Sequence, residues 1–277
     1  MANQSRRAGA GSARSPATAA GLRQIGFEPA AGCAYLSAMP SSVASPGPPP
    51  AGLEPAPVHR INSEADLARG LACLVAADPR LAAVLATGGA PPLRRRAAGF
   101  AGLAAIVVGQ QVSTASAAAI GARLFAAIDP FEPAAIVRAR PARLAQVGLS
   151  TPKIKALKAI ARAIRDGSLD LDGLATLPAD AAHEALCAVH GIGPWTADSY
   201  LLFCLGHADA WPAGDLALQE AARLAFGLDA RPTARQLAVL AEPWRPWRGV
   251  AAFLLWTYYR TAKGREAVPP AAPLATN

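Results

Sequence analysis

Long apolar runs and an N-terminal signal segment are both missing from this sequence of 277 residues. Arg, Asp, Gln or Pro interrupts every apolar stretch before it reaches the roughly 20 residues that a membrane-spanning helix needs. The basic N-terminus is followed by a Gly/Ser/Pro/Ala mixture and not by the compact apolar segment of a secretory signal. We therefore expect no transmembrane segment and a cytoplasmic protein.

Clusters of metal-binding side chains are missing as well. The four cysteines, Cys33, Cys73, Cys187 and Cys204, form no C-x-x-C pair, and the four histidines show no His-Glu-x-x-His spacing. Zinc and iron–sulfur sites need such groupings. The sequence therefore predicts no catalytic metal and no cofactor.

Acidic residues are few relative to basic ones, with 19 Asp and Glu against 27 Lys and Arg and a formal net charge of +8. This balance favours a polyanionic partner, either nucleic acid or a membrane surface. A basic, Ala-rich composition also fits an ordinary protein of a GC-rich genome. A membrane-surface role is disfavoured, because the predicted helices lack a Lys/Arg-lined polar face opposite a continuous apolar one.

Low-complexity segments divide the chain. Residues 1–57 end in a Pro/Gly-rich run and predict a disordered leader, and the Pro/Ala-rich residues 266–277 predict a disordered tail. In residues 58–265, apolar side chains recur at intervals of three and four, and no alternating strand pattern is present. This segment is predicted to form one all-α domain, with helices over residues 64–77, 100–109, 114–128, 133–139, 141–147, 151–167, 179–189, 194–206 and 216–226.

A Gly-x-Gly turn joins two of these helices. Gly191 and Gly193 allow a backbone closed to other residues, and Pro194 suits the first turn of the second helix. The free N–H groups of that helix start would face an anion such as a DNA phosphate. The alternative interpretation is a tight helix–helix turn without a ligand.

Asp215 lies directly before the predicted helix 216–226. An aspartate at this position is most simply interpreted as an N-cap, whose side chain accepts the free amides of the first turn. A catalytic role is compatible with capping, since the cap would fix the carboxylate in place.

The hairpin Ala188-Val189-His190-Gly191-Ile192-Gly193-Pro194-Trp195-Thr196-Ala197 resembles the helix-hairpin-helix of the DNA glycosylase superfamily, which includes endonuclease III and the alkylbase (3-methyladenine) glycosylases. The resemblance extends from about residue 65 to 262, through Leu149-Ser150-x-x-Lys153, Gly214-Asp215-Leu216 and Trp244-Arg245-Pro246-Trp247-Arg248. It implies two helical subdomains flanking an active-site cleft. It also implies a monomeric, nucleoid-associated enzyme of base excision repair that acts on damaged double-stranded DNA.

The resemblance makes Asp215 the catalytic carboxylate. Breaking an N-glycosidic bond builds positive charge on the sugar, and a fixed carboxylate stabilises that charge. Bifunctional relatives carry a lysine where this chain has Trp195, so the resemblance implies hydrolysis by water without AP-lyase activity. No cysteine follows Cys204, which excludes the C-terminal iron–sulfur cluster of endonuclease III. A tryptophan at this position is instead typical of the alkylbase branch, whose members excise alkylated purines.

The resemblance also supplies the remaining site residues. The base pocket is expected to contain Trp195, Gln110, Trp256 and Ser199, the last in place of an aromatic residue. The alternative for Trp256 is a core residue of the last helix. The alternative for Gln110 and Gln111 is that they are ordinary polar residues of a loop. The expected DNA contacts are Gln111, Gly191, Ile192, Gly193, Thr196, Lys153 and Arg248, with a monovalent cation at the backbone of Val189 and Gly191.

Two other interpretations are kept open. A non-enzymatic helix-hairpin-helix protein would use the same turn to bind DNA, with Asp215 acting only as a cap. The run Arg94-Arg95-Arg96 either adds to the basic face that contacts phosphates or forms an ordinary solvated surface, and the second interpretation is favoured.

Overall fold

The computed structural model describes residues 58–264, so the predicted leader and tail lie outside the described residues. Within this range the chain forms α-helices and short 3₁₀ or π-helical turns without any strand, which confirms the all-α prediction. The helices are α1 (Glu64–Ala77), α2 (Arg80–Gly88), α3 (Gly99–Gly109), α4 (Thr114–Ala127), α5 (Pro133–Arg138), α6 (Pro141–Gln146), α7 (Thr151–Arg165), α8 (Ala179–Cys187), α9 (Pro194–Ser199), α10 (Leu216–Phe226), α11 (Ala234–Leu240) and α12 (Arg248–Ala262).

Local capping explains where several helices begin. The Ser63 hydroxyl accepts the amide of Asp66, whose carboxylate accepts the amide of Ser63, and this reciprocal pair starts α1. Ser150 precedes α7 as predicted, but its side chain makes no capping hydrogen bond. Pro152 occupies the first turn of α7, where its missing N–H removes no helix bond.

The second hairpin helix differs from the prediction of one helix through residue 206. α9 ends at Ser199, and Tyr200–Cys204 continues it as a π-helical turn. Four residues of that turn are buried, so tertiary packing holds the wider turn in place. Helices α2 and α11 were not among the predicted helices.

Two groups of helices pack around one continuous apolar core. In the first group, α12 contacts α1, α2 and α10. In the second group, α3 contacts α4, α7 and α9, and α8 contacts α9. No helix between residues 58 and 264 is both long enough and apolar enough to cross a bilayer.

Candidate active site

The hairpin lies directly against α7 because Gly191 has no side chain. Its φ of +90° is in the region that favours glycine, and a Cβ there would lie 2.3 Å from Cβ of Ala156. Gly193 differs, since its φ is −90° and a Cβ at this position would meet no heavy atom within 4 Å. One glycine therefore packs inward, and the other leaves open space at the start of α9.

A hydrogen bond between a histidine and an aspartate links the two helices of the hairpin. Nδ1 of His183 on α8 lies 2.7 Å from Oδ1 of Asp198 on α9. This hydrogen bond raises the pKa of His183 above its usual value. The Cys187 thiol lies 3.4 Å from the other ring nitrogen, so one imidazole links two other side chains of the hairpin.

Two carbonyls of the hairpin backbone keep lone pairs that no backbone amide of the described residues uses. The Val189 carbonyl accepts the amide of Ile192 and has a second lone pair, and the Gly191 carbonyl accepts no backbone amide from the described residues. Ile192, expected among the DNA contacts, is only 4% exposed, and its side chain packs in the core. The side chain of Ile192 therefore anchors the turn to the protein, and a DNA contact at this position stays a prediction.

Asp215 is the N-cap of α10, and its carboxylate accepts hydrogen bonds from several parts of the chain. Oδ1 accepts the backbone amide of Leu218 at 2.9 Å, which confirms the capping prediction. The same oxygen accepts Nε1–H of Trp256 at 3.1 Å, and Oδ2 accepts Nε1–H of Trp195 at 2.9 Å. The carboxylate of the half-buried Asp215 is thus held by N–H donors from three parts of the chain.

The two tryptophans differ in their surroundings. Trp195 follows Pro194 in the first turn of α9 and is 36% exposed, so one side of its indole faces outward. Trp256 is half-buried and stacks on Phe203 with ring centroids 5.7 Å apart. Trp256 is therefore both a packed residue of α12 and a donor to Asp215. Phe203 was missed by sequence analysis, although it lies eight residues after Trp195.

A second contact ties the end of α3 to the hairpin. Nε2 of Gln110 donates to Oγ1 of Thr196 at 2.8 Å. Thr196, expected among the DNA contacts, is 2% exposed, so its side chain is not presented at the protein surface. The hydroxyl instead orients Gln110, which is half-buried beside α9. Ser199, one turn after Trp195, is buried and its hydroxyl has no hydrogen-bond partner among the described residues.

Gln111 stands out from the rest of the described backbone. Its φ of 53° makes it the single non-glycine residue with a positive φ between residues 58 and 264. The side chain is exposed, next to Val112, which is 39% exposed. A non-glycine residue in this region carries a cost of roughly 1–3 kcal/mol, and such residues concentrate at functional sites.

The two predicted phosphate contacts, Lys153 and Arg248, differ in burial and in their partners. Lys153 is half-buried, and its ammonium donates to the Val108 carbonyl at 2.7 Å near the end of α3. Arg248 is 5% exposed, and its guanidinium pairs with Asp209 and Asp180. The prediction that Arg248 binds phosphate is wrong, because its charge is already compensated inside the protein.

The described helices, the Gly-x-Gly hairpin and the capping aspartate after it together define the class of protein. The chain matches the family described as "HhH-GPD superfamily base excision DNA repair protein" over residues 104–246, and it belongs to that family.

Relatives with known names share parts of this chain. The DNA-3-methyladenine glycosylase of Bacillus subtilis is 31% identical over 121 residues, which are 44% of this chain and 40% of that protein. The DNA-3-methyladenine glycosylase 2 of Escherichia coli is 29% identical over 163 residues, covering 54% of each protein. The chain therefore matches only about half or less of the length of these two relatives.

Solved structures extend the similarity over most of the fold. The DNA-3-methyladenine glycosidase of Bacillus halodurans superposes with a TM-score of 0.64 and 28% identity, covering 73% of this chain and 94% of that one. The 3-methyladenine DNA glycosylase Mag1 of Schizosaccharomyces pombe, in complex with abasic DNA, gives a TM-score of 0.61 and 27% identity over 70% of this chain and 97% of that one.

Proposed function

We propose that this protein is a monofunctional DNA glycosylase that flips alkylated purines of the 3-methyladenine type out of duplex DNA and excises them by hydrolysis. The observation that carries the proposal is the carboxylate of Asp215, held by the indole N–H groups of Trp195 and Trp256 just beyond the hairpin. The names of the relatives support the choice of alkylated purines.

The carboxylate suits a reaction that develops positive charge on a sugar. As the N-glycosidic bond lengthens, C1′ gains oxocarbenium character, and a fixed anion stabilises that charge without having to reorient. The three N–H donors set the plane of the Asp215 carboxylate before substrate arrives. A base alkylated at N3 or N7 already carries positive charge and leaves without prior protonation. One carboxylate and aromatic walls are then sufficient for the reaction.

Water is the proposed nucleophile. A lyase needs an amine that forms an imine with the sugar, and the position implied for that amine holds Trp195, which cannot form one. Base release without strand cleavage follows from this substitution. No resident cofactor takes part in the proposed reaction, although a monovalent cation at the carbonyls of Val189 and Gly191 would bind a DNA phosphate against the hairpin.

The proposed DNA contacts lie at the start of α9, directly after α3 and in the first turn of α7. Gly193 leaves room for a phosphate, Gln111 extends outward as the side chain that fills the gap of the flipped nucleotide, and Lys153 lies beside α3. The flipped base would lie near Trp195, with Gln110 and Ser199 nearby. We propose that a monomer acts on duplex DNA in the cytoplasm.

Incubation with methylated DNA tests this function. Free 3-methyladenine and 7-methylguanine should appear in the supernatant, and strand breaks should appear only after alkali. Unmethylated DNA of the same sequence is the control. DNA binding without released base would favour the non-enzymatic alternative, and breaks without alkali would contradict the absence of lyase activity.

A further inference from the structure

Three arginines form a basic surface, which we call the arginine patch: Arg94, Arg96 and Arg260. Arg94 and Arg96 lie in the segment between α2 and α3, and Arg260 lies in the last turn of α12. Arg94 and Arg260 are half-buried, and Arg96 is exposed. The structure thus joins part of the arginine run, interpreted from sequence as plain solvated surface, to a residue far along the chain.

No acidic side chain compensates the arginine patch within residues 58–264. None of the ion pairs formed there includes Arg94, Arg96 or Arg260. Burial lowers the pKa of Arg94, and the positive charges of Arg260 and Arg96 lower it further. By contrast, the half-buried Arg223 and the buried Arg248 are each paired with a carboxylate. Like charges are therefore held together here without a counter-ion from the described chain.

The arginine patch borders the candidate active site. The guanidinium carbon of Arg96 lies 5.5 Å from the ring centroid of Phe203, and its backbone amide donates to the Phe203 carbonyl at 2.8 Å. Phe203 stacks on Trp256, which donates to Asp215. Arg260 follows Trp256 by four residues, about one turn of α12. The positive surface thus begins one aromatic ring away from the residues that hold the carboxylate.

We propose that the arginine patch binds the phosphodiester backbone of the DNA held by the hairpin, as a second and separate contact. This inference rests on the DNA binding of the proposed function. Phe203 lies nine residues after Pro194, roughly 14 Å along a helix at about 1.5 Å per residue. Phosphates recur about every 3.4 Å along one strand, so a duplex seated on the hairpin presents phosphates roughly four nucleotides away at this distance.

The salt dependence of DNA binding tests the proposal. Binding weakens as salt rises, and each phosphate that the protein neutralises makes the slope of log K against log salt concentration more negative by about 0.9. For the triple variant R94Q/R96Q/R260Q, we expect the magnitude of this negative slope to decrease by roughly 2–3 between about 50 and 200 mM salt. The probe is a duplex with a tetrahydrofuran abasic analogue, followed by fluorescence anisotropy, since this ligand binds without reacting. The charge-preserving variant R94K/R96K/R260K should keep the wild-type slope, and thermal melting confirms that both variants fold.

Three arginines elsewhere provide a matched control. Arg138, Arg140 and Arg143 help to line a groove of about 720 Å³ beside α5 and α6. The variant R138Q/R140Q/R143Q removes the same charge and should leave the slope within about 0.5 of wild type. An unchanged slope in the patch variant, or an equal fall in the control, overturns the proposal. If wild-type protein releases base but the patch slope is unchanged, only this inference fails; if wild type binds no DNA, the proposed function fails first.

Discussion

The indole N–H of Trp195 donates to Oδ2 of Asp215 across 2.9 Å, so the tryptophan that replaces the lysine of bifunctional relatives contacts the carboxylate implied for hydrolysis. The two side chains come from separate elements, since Trp195 is in the first turn of α9 and Asp215 caps α10. This contact makes Trp195 a donor that orients the carboxylate in addition to a proposed wall of the base pocket. Substitutions around the carboxylate should therefore separate its chemistry from its role in folding.

Asp215→Asn is expected to separate folding from chemistry. Asparagine caps a helix about as well as aspartate, so α10 should still form, but its amide nitrogen cannot accept the Trp195 N–H, so the melting temperature should fall slightly. The neutral amide cannot stabilise an oxocarbenium ion, so base release in a single turnover should fall by about a hundredfold or more. Binding to abasic-analogue DNA should persist. Near-normal release would remove Asp215 from the chemistry.

Trp256→Phe should keep the aromatic packing on Phe203 and lose the hydrogen bond to Asp215. A hydrogen bond to a charged group contributes about 1.5–3 kcal/mol, and about 1.36 kcal/mol corresponds to a factor of ten in rate. We expect single-turnover base release to slow by about ten- to a hundredfold. The control is Trp211→Phe, because Trp211 is buried and donates to the Leu237 carbonyl instead. That variant should lose stability and keep its rate; equal rate losses would indicate a general packing effect.

The two hairpin glycines should respond oppositely to alanine. Gly191→Ala forces a Cβ against Ala156 at a positive φ, so the protein should lose about 1–3 kcal/mol of stability. Gly193→Ala meets no atom and should change stability by less than about 0.5 kcal/mol, but the added methyl would stand where a phosphate approaches. Thermal melting and anisotropy measure the two effects. Full DNA affinity in Gly193→Ala would argue against a phosphate at the start of α9.

Gln111→Gly should raise stability while lowering activity on duplex DNA. Glycine adopts a φ of 53° without the cost that glutamine bears, so a gain of up to about 1 kcal/mol is expected. Removal of the side chain leaves the gap of the flipped nucleotide unfilled, so the ratio of base release from duplex to that from single strands should fall. A variant with an unchanged ratio would contradict the gap-filling role.

Arg248→Gln should destabilise the fold and leave DNA affinity unchanged. Removing one partner of a buried ion pair leaves carboxylates uncompensated, at a cost of about 3–5 kcal/mol. Arg245 also pairs with Asp180 and Asp209, but its side chain is 37% exposed, so Arg245→Gln should cost less. Denaturant unfolding measures both losses. A weaker DNA affinity of folded Arg248→Gln would restore the phosphate contact that its burial argues against.

Local features of the site were predictable from sequence, whereas pairings over long separations were not. The cap at Asp215 depends on the residue and the helix directly after it, and the structure confirms it. The burial of Arg248 depends on Asp209 and Asp180, which lie 39 and 68 residues away along the chain. A basic residue near the end of a repair motif has the same sequence signature whether it binds phosphate or an internal carboxylate.

The hydrogen bond of Trp256 to Asp215 was also not predictable from the sequence. The position of Trp256 on an apolar helix face favoured a core residue, and resemblance favoured a pocket residue. The ring packs on Phe203, as expected for a core residue, while its N–H reaches the carboxylate of Asp215, 41 residues away, and the place of Trp256 in the base pocket stays a prediction. Helical periodicity identifies a face of α12, but it does not show which polar atom lies opposite that face.

The π-helical turn at Tyr200–Cys204 sets the rotational phase of the site. In an uninterrupted α-helix each residue advances about 100° around the axis, so position 203 would lie about 80° away from position 195. A wider turn advances less per residue and rotates Phe203 back toward the side that carries Trp195. Regular α-helical winding over the same residues would instead leave Phe203 about 80° from that side of the helix. The wider turn thus brings Phe203, which stacks on Trp256, toward the side of α9 from which Trp195 reaches Asp215.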